Sequence, residues 1–205
     1  MIGAAMDVQD TQVPSDRVWT VPNAISGVRL LTIPLFAWLA LVPEQDAAAA
    51  LVLVIGGVTD FVDGYLARRW NQVTRLGQLL DPIADRLSTI TVLVVFLIRG
   101  IVPPWFVALL VLRDVILAVQ MGRLKKRGVT GLPVNFVGKA ATFNLMIAFP
   151  LLLWGADPQS LIEELARVAG WAFALWGTGM YLYSGALYMR QSRDVLAHVP
   201  APVGA

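Results

Sequence analysis

Four aspartates stand where long apolar stretches should carry no charge. Asp60 and Asp63 lie near the end of one such stretch, and Asp81 and Asp85 near the start of the next. Ionisable groups inside membrane spans are costly and as a rule functional. Residues three or four apart share a helix face, so Asp60 goes with Asp63 and Asp81 with Asp85. The link between the two stretches is short, which predicts antiparallel neighbouring helices with all four carboxylates at one boundary. Such a cluster repels itself unless a cation compensates or some groups stay protonated. An all-oxygen set suits Mg2+ or Mn2+ rather than zinc or copper, and Mg2+ held by few carboxylates commonly completes its shell with substrate phosphates. Gly64 and Ala67 beside the first pair, and Gly77 before the second, leave room for a flat or bulky ligand. Arg68 offers a fixed positive charge for phosphate. The bland alternative is a set of interfacial acids neutralised by Arg68, Arg69, Arg75 and Arg86. Four acids in two helix-spaced pairs make it the weaker reading.

The elements that must hold these groups are apolar. Of 205 residues, 57% are hydrophobic and 15% charged, and the mean hydropathy is +0.67. A soluble domain carries roughly 25% charged residues. Disorder is excluded by the hydrophobicity, and a net charge of +2 gives no footprint for nucleic acid. No cysteine is present, which removes disulfides and thiol chemistry, and the single histidine, His198, speaks against histidine metal sites and catalytic triads. A membrane helix needs about 20 apolar residues. Six stretches qualify, from Ile25 to Val42, Ala47 to Arg68, Leu76 to Ile98, Pro104 to Gly122, Val137 to Gly155 and Leu165 to Met189. Pro43, Gly100, Pro103, Gly128, Pro133 and Pro158 punctuate them. The expected fold is an all-α integral membrane protein with six transmembrane helices. Residues 1–20 read as a polar tail without signal-peptide character, 21–193 as one membrane domain and 194–205 as a C-terminal tail. Arginines and lysines gather at Arg17, Arg68–Arg75, Arg123–Lys139 and Arg190–Arg193, whereas Arg99 and Arg167 share the other side with Glu44, Asp46, Asp157, Glu163 and Glu164. The positive-inside rule then predicts that both termini are cytoplasmic.

The string Asp60-Phe61-Val62-Asp63-Gly64-Tyr65-Leu66-Ala67-Arg68, followed by Gly77, Asp81 and Asp85, resembles the signature of the CDP-alcohol phosphotransferase family at all eight fixed positions. A spaced pattern of this length is far more specific than a short glycine motif. The segments Val21–Ser26 with Arg29, and Arg68–Gly77, resemble bacterial phosphatidylglycerophosphate and cardiolipin synthases of that family. The resemblance implies a membrane enzyme of phospholipid synthesis, working as a homodimer at the cytoplasmic side of the bacterial cell membrane. It implies two Mg2+ or Mn2+ ions on Asp60, Asp63 and Asp81, with Asp85 sharing in that role and serving as general base. By the same resemblance Gly64, Ala67 and Gly77 face the cytidine nucleotide of CDP-diacylglycerol, and Arg68 its diphosphate.

A second basic group suits an acceptor carrying phosphate. Arg113 lies within the fourth span beside Asp114, Lys139 opens the fifth, and Arg29 precedes the motif. The plainer readings are an Arg113–Asp114 pair, a snorkelling Lys139, and an Arg123–Arg127 run that is a topology signal or lipid anchor. Arg113-Asp114-Val115 with Gly138-Lys139 resembles the cardiolipin synthases more, which implies phosphatidylglycerol as acceptor. Glycerol 3-phosphate is the alternative. A reading of another class, a cation-coupled transporter, would use the same acids, but they stand near span ends and no inverted repeat accompanies them. The tryptophans, Tyr181, Tyr183 and Tyr188 read as interfacial anchors or packing groups, and Gly177, Gly179 and Gly185 as sites of close packing or a dimer contact.

Overall fold

Among the described residues, apolar stretches divided by proline and glycine fold as six helices. The structure, a computed structural model, describes residues 21–69, 75–127 and 136–198. Within these, the side chains of residues 21–26, 61, 63–69, 75–82, 126 and 197–198 fall outside the description, as do residues 1–20, read as the N-terminal tail, and 199–205, the end of the 194–205 tail. The helices are α1 (Val21–Leu41), α2 (Asp46–Arg69), α3 (Arg75–Ile98), α4 (Pro104–Lys126), α5 (Phe136–Trp154) and α6 (Leu161–His198). Among the described residues there is no strand.

Local chemistry explains the boundaries. At the end of α3, Gly100 adopts φ +65°, with Gly100 N–H donating to the Leu97 carbonyl and Ile101 N–H to that of Phe96. That is a Schellman stop, and glycine takes the left-handed position without a Cβ penalty. Proline at the first position starts α4, where the missing N–H costs nothing. The sixth helix departs most from expectation. It begins four residues before Leu165, because Ser160 and Glu163 form a capping box. Glu163 N–H donates to Ser160 Oγ at 3.3 Å, and Ser160 N–H to Glu163 Oε2 at 3.1 Å. It also runs past Met189 to His198, so residues 194–198 are helix rather than tail. Nothing in the sequence breaks it after Gly185 until Pro200, and Arg127 holds it to α4 by donating to the Leu196 carbonyl at 2.6 Å. Ser160→Ala removes one arm of the box, with an expected loss of about 1 kcal/mol. Thermal unfolding in detergent would register it as a small downward shift with activity kept.

The helices α5 and α6 lie very close. A β-carbon on Gly170 would come 2.8 Å from Leu152 N. Helix α1 packs on α2 and α3, α2 on α5, and α4 on α6 and α3. Phe36, Phe96, Phe106, Leu152 and Leu153 fill the interior, with Phe96 edge-on to Phe149 and Phe106 edge-on to Trp171. Trp171 is therefore a packing group, whereas Trp38, Trp105 and Trp176 face outward. So do large hydrophobic residues on every helix, such as Leu31, Val58, Ile98, Leu112, Phe143 and Val168. Such a surface suits lipid rather than water. Among the described residues, two helices, Pro104–Lys125 and Phe136–Trp154, are long and apolar enough to cross a membrane.

Candidate active site

Helices α2 and α3 run antiparallel, and ion pairs fix their register. At one end Arg99 of α3 pairs with Asp46 at the start of α2, and more loosely with Glu44 at 3.5 Å. Fourteen residues along each helix, roughly 21 Å of rise, stand Asp60 and Asp85. The register set by the Arg99–Asp46 pair brings the two to the same level. Arg29 is buried at 4% exposure and pairs with Asp60, while both carboxylates remain exposed. Asp60 of the first pair and Asp85 of the second thus share one level of the antiparallel helices, with α1 packed on both. Helix α2 continues through Asp63, Gly64, Ala67 and Arg68, and α3 includes Gly77 and Asp81, but the side chains at these positions lie outside the described residues. Among the described residues no three acids or histidines come together as a metal site. Hard carboxylates from facing helices nevertheless fit a hard divalent cation, and the Arg29 guanidinium held by Asp60 already stands for the positive charge they demand.

A second cluster begins at the next residue. Consecutive helix positions point about 100° apart, and Arg86 is turned to α4. Arg86 donates to Asp114 Oδ2 at 3.1 Å. Arg113 donates to Asp114 Oδ1 at 3.1 Å, and so does the Tyr181 hydroxyl of α6, at 2.5 Å. Arg113 also lies over the Tyr181 ring, 3.7 Å from its centroid. Arg86, Arg113 and Asp114 form the charged part of a groove of about 350 Å³ between α3, α4 and α6, whose walls include Leu117, Gln120, Met121 and Tyr188. Asp114 also lies within electrostatic range of Asp85, so the two clusters adjoin.

The three residues expected to bind the acceptor are not brought together. Arg29 sits at Asp60, Arg113 lines the groove, and Lys139 is an exposed residue at the start of α5. Arg86 and Tyr181 join the site instead. Tyr181 is not a lipid-facing anchor, since its hydroxyl is turned to Asp114. No sequence signal marked it, because its role depends on how α6 crosses α4. Gly185 likewise proves to be a packing position within the chain, lying against Arg113, as does Gly177 against Asn144 and Leu145.

Known proteins agree with the motif and its setting. The chain is 50% identical over 199 residues to the CMP-forming cardiolipin synthase of Streptomyces coelicolor, covering 95% of this chain and 92% of that one. It is 45% identical over 186 residues to a Mycobacterium tuberculosis protein provisionally named a cardiolipin synthase, covering 90% and 88%. It is 34% identical over 176 residues to the CDP-diacylglycerol–glycerol-3-phosphate 3-phosphatidyltransferase of Shigella flexneri serotype 5b, covering 80% and 93%. The sequence model of the CDP-alcohol phosphatidyltransferase family matches residues 19–176, a span that holds both carboxylate pairs and Arg113. With the spaced acids on antiparallel helices and relatives alike along nearly their whole length, the chain belongs to the CDP-alcohol phosphatidyltransferase family, enzymes of phospholipid biosynthesis.

Proposed function

We propose that this enzyme transfers the phosphatidyl group of CDP-diacylglycerol to the free hydroxyl of phosphatidylglycerol, giving cardiolipin and CMP. The observation that carries the reading is the place of Asp85 on α3, level with Asp60 in the register set by the Arg99–Asp46 pair and next in sequence to Arg86, whose bond to Asp114 lines the groove. A base that must take a proton from one substrate while the other is attacked needs that intermediate position. The acceptor hydroxyl attacks the phosphorus that bears the diacylglycerol. The bond from that phosphorus to the oxygen of CMP breaks, and Asp85 receives the hydroxyl proton. Asp60, Asp63 and Asp81, with Asp85 at their edge, are proposed to hold Mg2+ or Mn2+, two ions in all. When bound, the cations would neutralise charge on the diphosphate and the departing CMP. Gly64, Ala67 and Gly77 are proposed to admit the nucleotide and Arg68 to bind its diphosphate. Arg29 steadies Asp60.

Charge favours phosphatidylglycerol over glycerol 3-phosphate. The groove's charged lining is two arginines against one aspartate, a net +1. A phosphodiester carries one negative charge, whereas a phosphate monoester carries about 1.5 to 2 at neutral pH. The greater likeness to a cardiolipin synthase points the same way. The alternative acceptor draws support from the 34% identical relatives. Family membership sets the transporter reading aside. The basic loops support six spans with both termini and the site at the cytoplasmic face of a bacterial membrane. A homodimer is proposed from the family resemblance alone.

The test uses the full chain in detergent–lipid micelles with Mg2+ and CDP-diacylglycerol, following CMP and the lipid product. Cardiolipin should form with phosphatidylglycerol, stop on chelation with EDTA, and resume with Mg2+ or Mn2+. Phosphatidylglycerophosphate formed from glycerol 3-phosphate, with no cardiolipin, would overturn the acceptor and keep the site. Folded protein that releases no CMP with either acceptor would overturn the reaction.

A further inference from the structure

Tyr181 has no part in the reaction as proposed, yet it touches both neighbouring charges of α4. Its hydroxyl donates to Asp114 at 2.5 Å and its ring underlies the Arg113 guanidinium at 3.7 Å. A hydrogen bond holds the carboxylate, and the ring quadrupole holds the cation. Both can be met by one side chain because Arg113 and Asp114 are themselves paired at 3.1 Å. Gly185, one turn beyond Tyr181, supplies the space. A β-carbon there would come 3.2 Å from both Cγ and Nε of Arg113. Helix α6 thus offers a ring at one turn and a gap at the next, and the arginine lies across both.

An arginine in a groove has many rotamers, and only a fixed one presents its planar fork to phosphate. Here one nitrogen is committed to Asp114, and Nε is buried without a hydrogen-bond partner among the described residues. Asp114 is itself fixed from three sides, by Arg86, Arg113 and Tyr181. That is more restraint than a charge pair needs for burial, and it converges on the side chain lining the groove.

We propose that Tyr181, with the space left by Gly185, is the positioning residue for the acceptor: it holds Arg113 in the one orientation that meets the acceptor's phosphodiester. The inference rests on Arg113 binding that phosphate, so the experiment includes Arg113→Ala. Kinetics are measured with CDP-diacylglycerol and phosphatidylglycerol, each varied in turn. Tyr181→Leu should raise the acceptor KM about tenfold, the scale of a lost cation–π and hydrogen-bond pair, with the donor KM and kcat within about twofold. Tyr181→Phe keeps the ring and should recover part of that loss. Gly185→Ala pushes on Arg113 from the other side and should also raise the acceptor KM, which serves the test if Tyr181→Leu fails to fold. Equal losses in kcat and both KM values across these variants would mean a merely structural tyrosine and overturn the proposal. An acceptor KM raised by Arg113→Ala and untouched by Tyr181→Phe and Gly185→Ala would overturn the positioning role alone. An acceptor KM untouched by Arg113→Ala would overturn the reading of Arg113 itself.

Discussion

The Asp85→Asn enzyme should fold and release CMP about 10² to 10⁴-fold more slowly, the range a positioned general base contributes. Asparagine matches the shape and keeps a hydrogen-bonding oxygen, but it cannot take a proton. Stability should move little or rise, for a plain electrostatic reason. Asp85 is exposed, so its neutral form leaves no buried charge unmatched. It also sits between the repulsion of Asp60 and Asp114 and the attraction of Arg86 and Arg29, so removing its charge relieves the one as it gives up the other. Loss of activity together with an equal or higher unfolding temperature marks a site where function is held at a cost in stability. Asp60→Asn makes the contrast. It too should lose activity, but it weakens the ion pair with buried Arg29 and should lower the unfolding temperature. The assay is CMP release beside thermal unfolding in the same detergent. An Asp85→Asn enzyme with more than a tenth of the parent rate would remove Asp85 from the role of base.

Most of the fold could be read from the sequence because hydrophobic length and proline or glycine breaks decide where such helices begin and end. The first five helices start and stop within about four residues of the expected places. The sixth does not, and its signals were local. The Ser160–Glu163 box was there to be read, and the absence of a breaker before Pro200 allowed the extension. Site residues divided by the kind of information that locates them. Asp60 and Asp85 announce themselves as charges in apolar stretches, and helix periodicity places each on a face. The antiparallel register that joins them needs Arg99 to find Asp46, a contact across 53 residues of chain. Tyr181 under Arg113 is harder still. A tyrosine in an apolar helix has the same composition whether it faces lipid or a carboxylate. Only the crossing of α4 and α6 turns it inward. Lys139, read into the acceptor site from its charge and position, stands exposed at the start of α5.

The close approach of α5 to α6 depends on glycine, and a pair of glycine replacements should move stability in opposite directions. Gly170→Val should lower the unfolding temperature by roughly 2–12 °C, from an overpacking cost of about 1–3 kcal/mol in a chain of this size. A β-carbon on Gly170 would lie 2.8 Å from Leu152 N and 3.0 Å from its Cγ. The first of these is backbone, which no rotamer change can move aside, so α5 and α6 must separate. Gly155 faces the same constraint, its β-carbon meeting Arg167 N at 2.6 Å. Gly179→Ala is the counterpart on the same helix. A β-carbon there meets nothing within 4 Å, so the helix gains alanine's propensity without a clash, worth about 0.5–1 kcal/mol. Because α6 also carries Tyr181 and Gly185, moving it away from α5 should disturb the Arg113 contact eleven residues further on. Gly170→Val should therefore raise the acceptor KM as well as lower stability, while Gly179→Ala leaves the kinetics alone. Equal unfolding temperatures for the two variants would show that α5 and α6 are not held at the separation their glycines permit.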